Sequence, residues 1–188
     1  MTSHKHPPQR YDKRLWKAGY AWSSFAYVRD VCDHLLSEKI PPSGRMYYPL
    51  VTAIAVLYAR PFKQSRGIEK LTPQFVPKKF RPLHKQIILL RDQTVAHLDA
   101  LGALFGALPG NNVRLIVRGN QFQLGMGQVK FQTATVIQIR ELADALVNRM
   151  LKYAQDIASN YSGGIPADGE YLIDLTTGRF RRLNDNDH

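Results

Sequence analysis

Residues 15–38 read LWKAGYAWSSFAYVRDVCDHLLSE, and their periodicity decides the fold class. Trp16, Ala18, Trp22, Phe25, Val28, Cys32 and Leu35 recur mostly at intervals of three and four, the signature of a helix with one apolar stripe. Pro41, Pro42, Ser43 and Gly44 stop it near Glu38. A second helix is expected over Tyr47–Tyr58, with Tyr47, Leu50, Val51, Ile54 and Leu57 on one face and Pro49 confined to the first turn, where its missing N–H does no harm. A third begins near Pro82 and carries Leu83, Ile87, Leu90, Thr94, Leu98 and Leu101, with Gly102, Gly106, Pro109 and Gly110 ending it. A fourth, long helix has the stripe Val136, Ile139, Ala143, Leu146, Met150, Tyr153 and Ile157, opened by a capping box of Thr135 with Gln138.

The period changes to two between Val113 and Met126. Val113, Leu115 and Val117 alternate with Arg114, Ile116 and Arg118, Phe122 and Leu124 follow, and Gly119-Asn120 lies between, which is a hairpin signal. A weaker pair, Tyr171–Leu175 and Arg179–Leu183, flanks Thr177-Gly178. The 188 residues therefore read as one mainly all-α domain over 12–160, preceded by a polar, mobile stretch over 1–11 and followed by a tail over 161–188 that either docks as a small hairpin or is loosely held.

Composition excludes several classes. The longest apolar run, Val51–Ala59 interrupted by Thr52, is well short of the roughly 20 residues that span a bilayer. No apolar leader follows Met1, and one cysteine, Cys32, forbids an internal disulfide, so a cytoplasmic location is expected. A single cysteine cannot build a zinc cluster, and His4 with His6 makes at best a weak metal site, so neither metal nor cofactor is expected. No Walker-type phosphate loop and no Gly-x-Ser-x-Gly elbow occurs, and Gly125-Met126-Gly127 lacks the third glycine of a dinucleotide loop.

Charge is the positive clue. The net charge is +11, and residues 60–91 hold nine cations against the one carboxylate of Glu69, a local excess of +8. This segment, punctuated by Pro61, Gly67, Pro73, Pro77 and Pro82, reads as a long basic loop from Arg60 to Pro82. Lys5, Arg10, Lys13, Arg14 and Lys17 add a second basic stretch. Such a field attracts nucleic acid, because each phosphate contact releases condensed counterions; a solvated surface tuned for solubility is the plain alternative.

Among the histidines, His34 falls on the rim of the first helix and His84 in the first turn of the third, whereas His97 lies mid-helix within reach of Arg91, Asp92 and Asp99. RNA can be cut without a metal by a base that takes the 2′-hydroxyl proton while cations hold the phosphate, work suited to histidine and arginine. Six residues along a regular helix give roughly 9 Å of rise and leave Arg91 and His97 about 120° apart, so they do not face one point squarely. Either the helix bends, or two chains pool their side chains across a two-fold axis.

Leu90-Arg91-Asp92-Gln93-Thr94-Val95-Ala96-His97-Leu98-Asp99 resembles the Arg-to-His signature of HEPN domains, and Tyr58-Ala59-Arg60-Pro61-Phe62 with Ser65-Arg66-Gly67 resembles the abortive-infection branch of that superfamily. The resemblance covers about residues 20 to 105. It implies a HEPN-like bundle of about four helices, with the 113–126 hairpin as an insertion, that forms a homodimer. For active members it implies a metal-independent endoribonuclease leaving a 2′,3′-cyclic phosphate, acting as a toxin or antiviral effector with a cognate antitoxin or nucleotidyltransferase-like partner. Under it Arg91 binds phosphate, His97 is the acid or base, Asp92 occupies a position where many active members carry asparagine, and Arg60, Lys63, Arg66 and Tyr58 belong to the substrate-binding wall. Two other readings stay open: a catalytically silent RNA- or nucleotide-binding dimer, favoured by Asp92, and a protein-interaction module that docks an acidic partner through residues 60–91. By the residues alone, Arg91 could equally pair with Asp92 or Asp99 on the helix surface while His97 sits bonded in the core. The Trp16, Trp22 and Phe25 stripe is expected to pack in the core rather than on a base, whereas Tyr47 and Tyr48 are open between core, base stacking and a dimer seam.

Overall fold

The computed structural model describes residues 9–64, 69–92, 113–119, 121–126, 130–160, 169–174 and 179–182. Its helices are α1 (Gln9–Ser37), α2 (Tyr47–Ala59), α3 (Arg81–Leu90) and α4 (Thr133–Ser159). Two antiparallel hairpins complete it, β1 (Val113–Arg118) with β2 (Gln121–Met126), and β3 (Tyr171–Asp174) with β4 (Arg179–Arg182). The mainly helical class expected from periodicity is what the structure shows.

The core is built by α1 and α4. Ala18, Ala21, Phe25, Val28, Cys32 and Leu35 are buried on α1 at strict intervals of three and four, and Val136, Ile139, Ala143, Leu146 and Met150 repeat the same pattern on α4, with Ile157 two turns further. Two such stripes pack when helices run nearly parallel or antiparallel, ridges of one in grooves of the other. Polar pairs along the seam fix the antiparallel direction. Arg140 Nε donates to Asp33 at 3.0 Å, Arg29 reaches Asp144 at 3.8 Å, and Arg14 Nε donates to the Tyr153 hydroxyl at 3.1 Å, so the α4 number rises as the α1 number falls. α2 packs on α1 through Val51, Ile54, Ala55 and Tyr58, and α3 adds Leu83, Ile87 and Leu90. Cys32 is buried in this core, and burial pushes its thiol pKa up to about 12, so it is a packing residue rather than a nucleophile. Among the described residues no helix is long and apolar enough to cross a membrane.

Several expectations need correction. α1 begins at Gln9, so residues 9–11 are helical rather than part of a mobile leader. Trp22 is 40% exposed and Trp16 half-buried; the inner positions go to Ala18 and Ala21, whose small side chains lie where the stripe meets its partners. On α2 the buried set is Tyr47, Val51, Ile54, Ala55, Tyr58 and Ala59, with Leu50 and Leu57 only half-buried. α4 starts at Thr133, capped by Gln132 without a side-chain hydrogen bond, so the Thr135–Gln138 capping box is not formed. Among the described residues of the expected long basic loop are three short 3₁₀ turns, Arg60–Phe62, Pro73–Phe75 and Lys78–Phe80, and Phe62, Leu71, Val76 and Phe80 are buried. Pro61 and Pro73 lie in the opening turns, where a fixed φ helps and no donor is needed. The Leu71 N–H donates to the Pro61 carbonyl at 2.7 Å and closes this excursion on itself.

The hairpin of residues 113–126 is as its alternation predicts, in the register Val113↔Met126 to Arg118↔Gln121, and Gly119 takes the left-handed φ of +58° that a tight hairpin turn requires. Asn120, the end of the third apolar stripe beyond Asp92, and residues 1–8 lie outside the described residues.

One hydrogen-bonded latch joins the start of α2 to the approach to α4. The buried Tyr47 hydroxyl donates to the Phe131 carbonyl at 2.7 Å and accepts from the Phe131 N–H at 3.0 Å, satisfying both polar groups of one buried peptide residue. Tyr47→Phe leaves both without that partner and is expected to cost about 1–3 kcal/mol in denaturant unfolding, with little change in helicity by circular dichroism. An unchanged unfolding midpoint would show that the latch is not holding α2 to α4.

Candidate functional site

Arg60 ends α2 and opens a 3₁₀ turn that carries the chain around Pro61 and anchors it with Phe62, which packs on Phe25 and Tyr58 at ring-centroid distances of 5.8 and 5.5 Å. With Phe62 held inside, Lys63 emerges at the surface. From the other side α3 arrives with Leu83, His84, Ile87 and Leu90 facing inward. At its end the Arg91 N–H is shared between the Ile87 and Ile88 carbonyls, and residues 91–92 continue as a π turn. The two segments meet at Asp92: one carboxylate oxygen accepts from the Lys63 ammonium, the other from Arg91 Nη1 at 3.0 Å.

This triad carries a net charge of +1 and is open, the three side chains being 33%, 35% and 37% exposed for Lys63, Arg91 and Asp92. Partial burial alone would raise the Asp92 pKa, but the hydrogen bonds and charges of Lys63 and Arg91 outweigh it and hold the carboxyl below its usual value. Asp92 is therefore ionised at neutral pH. At this exposure its ion pairs add little stability. What they define is a position where two cations converge on one anion.

The segments that carry the triad also contribute to a buried aromatic layer. Tyr58 is fully buried, with its ring 5.8 Å from those of Phe25 and His84, and Phe62 lies 4.6 Å from His84. The Tyr58 hydroxyl and His84 Nδ1 are 2.9 Å apart. If the phenol donates, its only proton and the imidazole lone pair are both satisfied, which selects neutral His84 with its proton on Nε2. Burial pushes the His84 pKa down, with Lys85 adding to the effect, and burial pushes the Tyr58 pKa up, so both groups favour the neutral pair. Tyr58 thus lies in the core with its hydroxyl engaged, not on a substrate-binding wall.

Of the residues singled out in the sequence, Arg91, Asp92 and Lys63 come together. Arg60 stands apart from them, its guanidinium 5.3 Å above the ring of Tyr20. His97 and Arg66 lie outside the described residues, as does Asp99. Sequence reading missed Tyr20 and the Tyr58–His84 pair; 26 residues separate the latter two, and no local spacing announces such a contact.

The described residues also line a cavity of about 230 Å³ between the ends of α1 and the beginnings of α2 and α4, among them Leu36, Ile40, Tyr47, Phe131 and Val136. It lies roughly 24 Å along α1 from Tyr20, judged by 1.5 Å of rise per residue, and Lys39 is its one charged lining residue. Charge converges at the Lys63–Asp92–Arg91 end instead. Comparison of the chain with protein-family models, with curated protein sequences and with solved structures returns no match. What fold and site define is a helical protein with an open cationic site.

The buried imidazole generates a prediction for pH. Because the His84 pKa is lowered on folding, the unfolded chain takes up a proton near its ordinary value of about 6.5 while the folded chain resists it. The stabilisation is complete above that value and shrinks as pH falls below it. Wild-type protein should lose thermal stability between about pH 7 and 5.5 more steeply than His84→Gln; equal slopes would remove His84 from the pH response.

Proposed function

We propose that the chain is a metal-independent endoribonuclease of the HEPN type, in which Arg91 and Lys63 hold the scissile phosphate and His97 moves the proton. The convergence of Lys63 and Arg91 on one accessible anion position supports this reading most, because the two ends of the +8 segment meet there. A phosphate oxygen accepts hydrogen bonds as a carboxylate oxygen does, and arginine with lysine is the pairing that fixes and neutralises it. In the proposed reaction His97 accepts the ribose 2′-hydroxyl proton, the 2′-oxygen attacks phosphorus, and the bond to the 5′-oxygen breaks. A 2′,3′-cyclic phosphate forms, and a proton passes to the leaving oxygen. The divergence of about 120° between positions 91 and 97 calls for a second protomer to complete the groove. A cytoplasmic toxin or defence role with a neutralising partner belongs to the same proposal.

A second reading, a catalytically silent RNA-binding dimer, is favoured by a specific contact. Asp92 already occupies the anion position and repels an incoming phosphate.

Purified protein incubated with labelled tRNA and mRNA should produce 2′,3′-cyclic ends that survive a chelator, and His97→Ala should lower the rate by roughly 10² to 10⁴ while leaving the fold intact. Full activity of that variant removes His97 from the mechanism. Asp92→Asn frees both cations, so it should tighten RNA binding and steepen its salt dependence. Cleavage that arises only in Asp92→Asn selects the silent reading, and absence of RNA binding in every form leaves the acidic protein partner.

A further inference from the structure

α1 carries a second feature, half-buried and separate from the buried core cluster. Trp16 stacks on Tyr20 with ring centroids 5.0 Å apart and planes within 8°, and the Arg60 guanidinium covers Tyr20 at 5.3 Å. Neither ring belongs to the core or to the half-buried side chains packed on it. Both rings are half-buried, and with Trp16 and Arg60 against Tyr20, the face of Trp16 turned away from Tyr20 is the π surface this stack leaves for a further ring. Lys13 and Lys17 lie on the same helical face, three residues before Trp16 and three before Tyr20 respectively. The Lys17 ammonium donates to the Lys70 carbonyl at 2.9 Å, which fastens this face to the basic segment. Arg60 also opens the turn that ends at Lys63, whose N–H donates to the Arg60 carbonyl at 3.2 Å. The aromatic stack and the phosphate position are therefore joined through one turn of chain.

We infer that the Trp16–Tyr20–Arg60 stack is a base-stacking platform for unpaired RNA, placed so that a strand resting a base on it continues toward the phosphate position at Lys63 and Arg91. This rests on the RNA reading proposed above. Stacking on aromatic rings requires a base with a free face, and bases within a duplex have theirs covered by neighbours. Guanidinium and lysine groups flanking the rings match the strand's phosphates in charge. The substrate of this site is single-stranded RNA, or the loop of a folded one.

The test uses a short fluorescein-labelled 2′-O-methyl single strand, which lacks the nucleophilic hydroxyl and stays intact, and a 2′-O-methyl hairpin with a fully paired stem, both followed by anisotropy. Trp16→Leu keeps an apolar side chain without a π face and should weaken single-strand binding about 5- to 150-fold, whereas Trp16→Phe should restore most of it and stem binding should stay unchanged. In Trp22→Phe protein, emission from the remaining Trp16 should be quenched by the single strand. Wild-type affinity in Trp16→Leu, or an equal loss for strand and stem, overturns the platform and leaves the phosphate site standing. Failure of wild-type protein to bind either probe overturns the RNA reading and the platform with it.

Discussion

The packing of α1 against α4 is the constraint on which the rest of the structure depends. Their buried stripes share one interval pattern, and apolar burial of roughly 25 cal/mol per Å2 makes such a seam the main source of stability in a small helical domain. The seam also sets direction. Asp33 with Arg140 and Arg29 with Asp144 place opposite charges one helical turn apart on both helices, so the antiparallel register satisfies both pairs. A slip of one turn would set like charges against each other. Because α1 lies near the start of the described chain and α4 more than a hundred residues later, the contact that organises the fold is long-range in sequence, a topology that slows folding relative to bundles with local contacts.

The cationic site is suspended from this seam. α2 leaves it with an almost wholly apolar sequence, and the chain then turns sharply through Arg60–Phe62. Phe62 points in and Lys63 emerges, so the position of a surface cation is decided by the burial of its neighbour. α3 works the same way: Leu90 is buried and the next two residues, Arg91 and Asp92, are half-exposed. The cationic site is thus assembled from the first outward residues after two anchored segments. The neutral Tyr58–His84 pair lets a polar contact sit in the buried aromatic layer without a charge there.

Much of this architecture was legible in the sequence, and the failures have physical causes. Periodicity identified α1, α2 and α4 and the hairpin of residues 113–126, because a buried face repeats with the geometry of its element. It placed Ala18 in the stripe but could not tell that Ala21, rather than Trp16 and Trp22, is sealed inside with it, since hydrophobicity ranks a large ring above a methyl group while close helix approach favours the small one. Prolines made residues 60–82 look like an open loop, yet Pro61 and Pro73 start compact turns and Leu71, Val76 and Phe80 pin them. Charge clustering singled out residues 60–91 in the sequence, and Lys63, Arg91 and Asp92 come together in the fold. Only the three-dimensional fold brings Lys63 to Asp92, 29 residues apart, or shows that Tyr58 belongs to the interior.

The latch between Tyr47 and Phe131 has one more consequence. It ties together two points of the chain that are 84 residues apart, and between them lies every residue of the cationic site together with the hairpin of residues 113–126. A closed excursion of that length tolerates growth cheaply, since doubling a flexible loop costs only about 0.6 kcal/mol in closure entropy. α2 and α3 within the tied span are packed into the core and fix their own lengths, so growth at that small cost is confined to the turns between anchored elements.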